Sequence, residues 1–500
     1  MKPDKLIDAM GMIGEDLIDE ENLKPEKKKY KRIKWTVLIA ALLSVTLIFG
    51  MVLRPSSKPS GIPKRPDITT DKAVIEYEPE DIYLYNGCLA MASYPESPVY
   101  PGIDESSDMI TADSVGDDWF LFYREMDSEF KELGINIDEF YKSTCKTLFN
   151  KNEGENLLYS PVSLYMALAM LAEVTDSESR TQLLDLTGAE SIEQLRTNAR
   201  AIWKACYKND GVSSAILANS LWLDDKYNYN QLTLDTLAEY YFASSFSGES
   251  GSQEFNDIFR KWINDQTNGL LEDSAKELTI EPRTVLTLAS TIYYYAQWSD
   301  KFFPELTKEA EFNSPDGIIK CDFMNSSRND TYFRGENFSA TKKHLDENGT
   351  MYFILPDEGF SPEEILKGDE IYSFLNSGDL WENRKNLTVN LSVPKFDVSS
   401  KTDLKDSLKE LGVTDIFEDK EANFANLLED TSGFAACIEH SVRVNIDEEG
   451  CEAAAYTAIL MNGSSASPKD EIDFVLNRPF IFVITSDAGI PLYTGVVNNP

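Results

Sequence analysis

Hydrophobic residues change period several times along the 500-residue chain, and the changes mark out its elements. Trp35 to Leu53 is a run of 19 residues without a charge. As a helix it spans about 28 Å, close to the thickness of a bilayer hydrocarbon core. Near Asn136 apolar side chains begin to recur at spacings of three and four, at Ile137, Phe140, Tyr141, Cys145 and Leu148. This period predicts an amphipathic helix. Ser160-Pro161 opens a second helix carrying Met166, Leu168, Met170 and Leu171, with serine at the cap and proline just inside it. Gln253 to Leu271, with Phe259, Trp262 and Ile263, predicts a third.

Strand patterns dominate the second half. Thr284 to Trp298 is nearly continuous Val, Leu, Ile and Tyr, which suits a strand buried on both faces. Asn386 to Phe396 alternates through Leu387, Val389, Leu391 and Val393, and Ser441 to Asp447 through Val442, Val444 and Ile446. Phe480–Ile484 and Leu492–Val497 complete the set. Helices first and strands later point to α+β with a large sheet rather than a βαβ repeat.

The ends of the apolar run give it an orientation. Lys27, Lys28, Lys29, Lys31, Arg32 and Lys34 precede it, and fewer basic residues come after it. The positive-inside rule then places 1–34 in the cytoplasm and everything after 53 outside. A cleaved signal peptide, with secretion, is the alternative. Such a peptide would have a shorter core and a small-x-small site, but Val52, Leu53 and Arg54 end the run. The expected organisation is a tail (1–34), a transmembrane anchor (35–53), a proline-rich linker (54–76), an irregular acidic segment (77–130) and a folded domain (131–500) on which that segment packs.

Composition narrows the function. Apolar residues make up 42% of the chain, enough for a real core. The balance of 47 basic and 85 acidic residues leaves a net charge of −38. Such a surface repels phosphate backbones, so no nucleic-acid partner is expected. The six cysteines are scattered, which supports neither a disulfide scaffold nor a zinc ribbon and fits buried free thiols. Only His344 and His440 could act as a histidine base. His344 lies in Lys342-Lys343-His344, read as a solvated surface, and His440 opens an alternating strand as a structural histidine. Serine-hydrolase elbows, zinc-protease helices, Walker loops and dinucleotide fingerprints are all missing. No enzyme activity and no cofactor are expected.

One segment stands out. Between the Val442–Ile446 strand and the one at Phe474, residues Glu448-Glu449-Gly450-Cys451-Glu452-Ala453-Ala454-Ala455-Tyr456-Thr457-Ala458 begin a stretch long for a loop. From Cys451 to Ser467 its only charge is Glu452. With period two, Cys451, Ala453, Ala455, Thr457, Ile459 and Met461 share one uncharged face, while Glu452 and Tyr456 fall on the other. The residues allow two readings, a small-residue flexible loop or a strand able to enter a sheet without burying a charge.

From about Asn136 to Pro500 the chain resembles the serpins, the serine protease inhibitor superfamily. The resemblance rests on five blocks in order. They are Asn156-Leu157-Leu158-Tyr159-Ser160-Pro161-Val162-Ser163; Thr284 to Trp298; Val393-Pro394-Lys395-Phe396 with Leu411-Gly412-Val413; Glu448 to Ala455; and Asn477-Arg478-Pro479-Phe480 with Leu492 to Pro500. It implies helices on a large central sheet, two smaller sheets and an exposed reactive loop. It also implies roles. Glu449, Gly450, Cys451, Glu452, Ala453, Ala454 and Ala455 match the hinge, with Cys451 where the family usually has threonine. Ser160, Ser163 and His440 match the polar shutter under the sheet, with Ser290 where an asparagine usually faces the histidine. Trp298 matches the tryptophan at the sheet's upper end. Counting along the loop from Cys451 puts the reactive bond at Ser464–Ser465, while counting back from Pro479 lands near Pro468. Met461, Asn462 and Ala466 also remain candidates. Small residues there, without Lys or Arg, point to elastase-like or subtilisin-like serine proteases as partners of a monomeric, membrane-anchored inhibitor of bacterial type. The alternative is a non-inhibitory serpin acting as a cell-surface binding or chaperone-like module.

Overall fold

The computed structural model describes residues 87–100, 109–150, 154–346, 348–418, 420–428, 439–451 and 470–500. The polypeptide forms an eight-stranded sheet and a nine-stranded sheet with helices packed on them. The helix beginning at Pro161 runs to Val174 and is buried along almost its whole length. Ser160 caps it, accepting from the Ser163 N–H, and Pro161 occupies the first turn, where its missing N–H costs nothing. The amphipathic pattern after Asn136 becomes the helix Asp138–Phe149, which buries Phe140, Tyr141, Cys145 and Leu148. The helix from Gln253 ends at Gln266, earlier than the apolar pattern predicts. Its chain turns at Asn268 and Gly269, both at positive φ.

Strand Leu286–Gln297 lies in the middle of the eight-stranded sheet, antiparallel to Ser214–Asp224. Strand Glu439–Ile446 is antiparallel to Phe396–Asp403 across eight residue pairs. The inner face of this sheet joins the main hydrophobic core through Ile292, Tyr294, Ala296, Val442 and Val444. Its outer face meets the helix Gln253–Gln266, where Phe255, Phe259, Trp262 and Ile263 pack on Ala218, Trp222 and Phe246.

Three expectations need correction. The segment read as irregular over 77–130 contains a strand, Cys88–Ala90, that pairs with Ala243–Gly248, and a helix of 25 residues, Met109–Leu133. The helix lies against Ile192–Cys206, where Glu129 pairs with Arg200 and Lys204. Trp119, Phe122, Met126 and Phe130 supply its packed stripe. The two smaller sheets are one. The strand Gly317–Arg334, 18 residues long, pairs with Arg384–Pro394 and also with Phe338–His344, and so joins both parts into the nine-stranded sheet. The Lys342-Lys343-His344 triplet is not a solvated surface, since both lysines are only 6% exposed. Strand alternation alone would turn one of them outward, but Lys342 reaches Asp379 at 2.8 Å and Lys343 lies beneath Trp298 and Phe302. His344 itself is exposed, with Nδ1 3.1 Å from the Thr350 hydroxyl.

Candidate functional site

The two central strands of the eight-stranded sheet, Leu286–Gln297 and Glu439–Ile446, share no ladder of their own among the described residues. A two-residue strand, Gly450–Cys451, sits between them. Cys451 is the register partner of Ala296 on one side and of Ile446 on the other, antiparallel to both. The reversal that brings it there is tight. The Asp447 carboxylate accepts from the N–H groups of Glu449 and Gly450, and the Asp447 N–H donates to the Gly450 carbonyl. Only glycine fits at 450, because an added Cβ would lie 2.2 Å from the Ala296 carbonyl oxygen. Cys451 is buried in the main core.

Trp298 holds this turn from above. Its backbone N–H donates to the Glu449 carbonyl at 2.9 Å, and its indole Nε1–H donates to the Asp447 carbonyl at 2.9 Å. The Phe302 N–H donates to the Glu448 carbonyl at 3.1 Å. Two ion pairs flank the turn, Lys395 with Glu448 at 2.7 Å and Lys301 with Glu449 at 2.6 Å. Burial raises the Glu448 pKa, but the Lys395 ammonium and the Thr307 hydroxyl outweigh it and hold the carboxyl below its ordinary range.

Lower on the sheet, His440 is buried and its Nε2 accepts from the Ser160 N–H at 3.0 Å. The histidine thereby ties strand Glu439–Ile446 to the cap of helix Pro161–Val174. Burial pushes its pKa down to about 4, so the imidazole is neutral at ordinary pH. Ser160 and Ser163 bond each other, Oγ to Oγ at 3.1 Å. Ser290 does not bond His440. Among the described residues its buried hydroxyl has no partner, and neither do the hydroxyls of Thr291 and Ser441. An asparagine lies one strand away. Asn219 is the register partner of Ser290, donates to the Tyr241 carbonyl, and has no partner for its own Oδ1 among the described residues. A single sequence gives no sign of Asn219, because its closeness to Ser290 comes from strand pairing.

Ser160, Ser163, Ser290, His440, Trp298, Glu449, Gly450 and Cys451 are thus placed along one line, from the upper end of the sheet to the helix cap beneath it. Glu452, Ala453, Ala454, Ala455 and the candidate bond Ser464–Ser465 lie outside the described residues, as does the apolar run 35–53. Among the described residues no helix is long and apolar enough to cross a membrane. Among the described residues Cys88, Cys145, Cys206 and Cys321 are free thiols.

The family model described as serpin (serine protease inhibitor) matches residues 136–500. The chain belongs to the serpin family. Serpin-ZX of Arabidopsis thaliana is 27% identical over 394 residues, covering 75% of this chain and 99% of that protein. The native crystal structure of the thermophilic serpin tengpin superposes with a TM-score of 0.65 at 26% identity, covering 82% of this chain and 97% of that one. Thyroxine-binding globulin, solved with thyroxine, matches with a TM-score of 0.64 at 20% identity, covering 73% and 98%, and shares the fold. Membership implies protease inhibition as the coarse function of the family.

Proposed function

We propose that this protein traps serine proteases by inserting its own cleaved loop. The supporting observation is the Gly450–Cys451 strand, which already occupies the upper end of the gap between Leu286–Gln297 and Glu439–Ile446. Carrying both registers forward by six positions brings Thr457 beside Ser290 and His440 at once, on the inner face with Cys451. The same step puts Ala453 and Ala455 inside, and Glu452 and Tyr456 outside. Every inner position is uncharged, so the strand can enter without burying an ion.

The protease cuts the loop and stays acyl-linked to the new end, and the freed segment then fills the gap as an extra strand. About 14 residues at 3.3–3.4 Å each carry the protease roughly 45–50 Å. A dozen or more new backbone hydrogen bonds, at about 0.5–1.5 kcal/mol net each, supply on the order of 10 kcal/mol. That is enough to distort an active site held by a few kcal/mol of packing. The bond cut is Ser464–Ser465 or a near neighbour within 461–468. Its small residues select elastase-like or subtilisin-like enzymes. The inhibitor acts as a monomer of bacterial type, held at the cell surface by residues 35–53 with its domain (131–500) outside.

The test is incubation of the intact protein with a panel of serine proteases, read as an SDS-resistant adduct. Melting of intact and loop-cleaved protein accompanies it. Trapping requires an adduct with at least one small-residue protease and a higher melting temperature after cleavage. Cleavage with no adduct and no gain in melting temperature leaves the binding-module reading in its place.

A further inference from the structure

Lys343 is a buried cation placed against the turn that holds the hinge. It is 6% exposed and, among the described residues, has no carboxylate within 4 Å. Its Nζ donates to the Asp300 carbonyl at 2.7 Å. It also lies 4.5 Å from the centre of the Phe302 ring and 5.6 Å from that of Trp298. Those two residues donate the backbone bonds that hold Glu448 and Glu449. A cavity of about 100 Å³ adjoins Lys343, lined also by Ser299, Ser326, Arg328, Asp330 and Thr341.

We infer that Lys343 is a positioning residue for the hinge, acting through Trp298 and Phe302, and that its positive charge loosens this part of the intact protein at neutral pH. An ammonium enclosed by two aromatic rings and a carbonyl, without an anion in contact, has lost more hydration than those contacts return. The neutral amine still donates to the Asp300 carbonyl, so losing the proton removes the charge and keeps the tie. Burial lowers the Lys343 pKa to about 8. A lysine with a lowered native pKa destabilises the native state below that pKa, and the cost fades as pH rises toward the unfolded value near 10.4.

The charged groups facing Lys343 are Asp300 from the turn after the central strand, Arg328 and Asp330 from Gly317–Arg334, and His344 on its own strand. Arg328 is paired with Asp300 and stays charged throughout. Burial lowers the His344 pKa and raises that of Asp330, and the ordinary titration of both groups lies below pH 7. The buried thiols Cys145 and Cys206, with raised pKa values, lose native stability at alkaline pH. The readout is therefore the difference between wild type and variant, which cancels them. The inference concerns the intact protein and stands whether or not cleavage is followed by insertion.

The experiment compares full-length wild type with Lys343→Met and Lys343→Arg near pH 7 and near pH 9.5, by melting and by amide hydrogen exchange at Trp298 and Phe302. Lys343→Met should melt a few degrees above wild type near pH 7, with the gap closing near pH 9.5. Its two amides should exchange more slowly than in wild type at the lower pH only. Lys343→Arg, charged at both values, should fall further below wild type at the higher pH. A Met variant that melts below wild type by the same margin at both pH values, or amide exchange that ignores the substitution, overturns the inference.

Discussion

Acidification should release the lower anchor of the sheet at a pH set by one residue. His440 is fully buried, its Nε2 is committed as an acceptor to the Ser160 N–H, and burial alone lowers its pKa to about 4. Protonation would place an N–H against another N–H and leave a cation with no anion beside it. The difference from the ordinary value near 6.5 is roughly 2.5 units, and at about 1.36 kcal/mol per unit it corresponds to about 3 kcal/mol. For a histidine with a lowered native pKa, this stability is fully present above pH 6.5. It is lost progressively as pH falls toward 4. Many carboxylates titrate in the same window, so the measurement must isolate the histidine. His440→Gln offers a side-chain carbonyl to the Ser160 N–H and does not titrate. Denaturant unfolding of wild type and variant between about pH 7.5 and 4.5 should give curves that converge by roughly 2.5 kcal/mol toward acid. Parallel loss in the two proteins would refute the reasoning. So would direct proton NMR, which is simple in a chain with 2 histidines, if the buried resonance titrated near its ordinary value.

The same geometry sets three further outcomes. Ala455→Arg would put a guanidinium on the inner face, between Ile292 and Val442 by the extended register. A target protease should then cleave the variant without leaving a stable adduct, as seen by denaturing electrophoresis. Gly450→Ala drives a Cβ into the Ala296 carbonyl. It should displace the two-residue strand at a cost of about 1–3 kcal/mol, measured as a lower unfolding midpoint with faster amide exchange at Cys451. Arg196→Ala strands Glu173, which is 3% exposed and held by Arg196 through two bonds of 2.7 Å and by the Tyr241 hydroxyl. It should lower stability by about 3 kcal/mol or more in a denaturant titration.

What could be read in advance was what local chemistry dictates. The Ser160 cap, the proline after it and the apolar run through Ile292 and Tyr294 are each decided by neighbours in the chain. The helix Met109–Leu133 was masked by its acidic composition and by Tyr-Pro pairs just upstream, although Trp119, Phe122, Met126 and Phe130 keep a helical spacing. The buried lysines were misread because a lysine is buried only where distant residues enclose it. Asp379 lies 37 positions from Lys342, and Trp298 and Phe302 follow the end of a different strand, Leu286–Gln297. The place of Asn219 beside Ser290 is likewise a matter of register between strands 71 positions apart, which no local pattern encodes.

On the proposed insertion, three hydroxyls without a partner among the described residues border the path of the entering strand. Ser290 and Thr291 lie on one bordering strand and Ser441 on the other, at the level where the extended register delivers Tyr456 and Thr457. In that proposed arrangement Thr457 comes beside Ser290, whose hydroxyl it could bond. The upper anchor releases by breaking ion pairs and backbone bonds at Trp298, and the lower one rests on a neutral imidazole. Loosening either end should therefore speed entry.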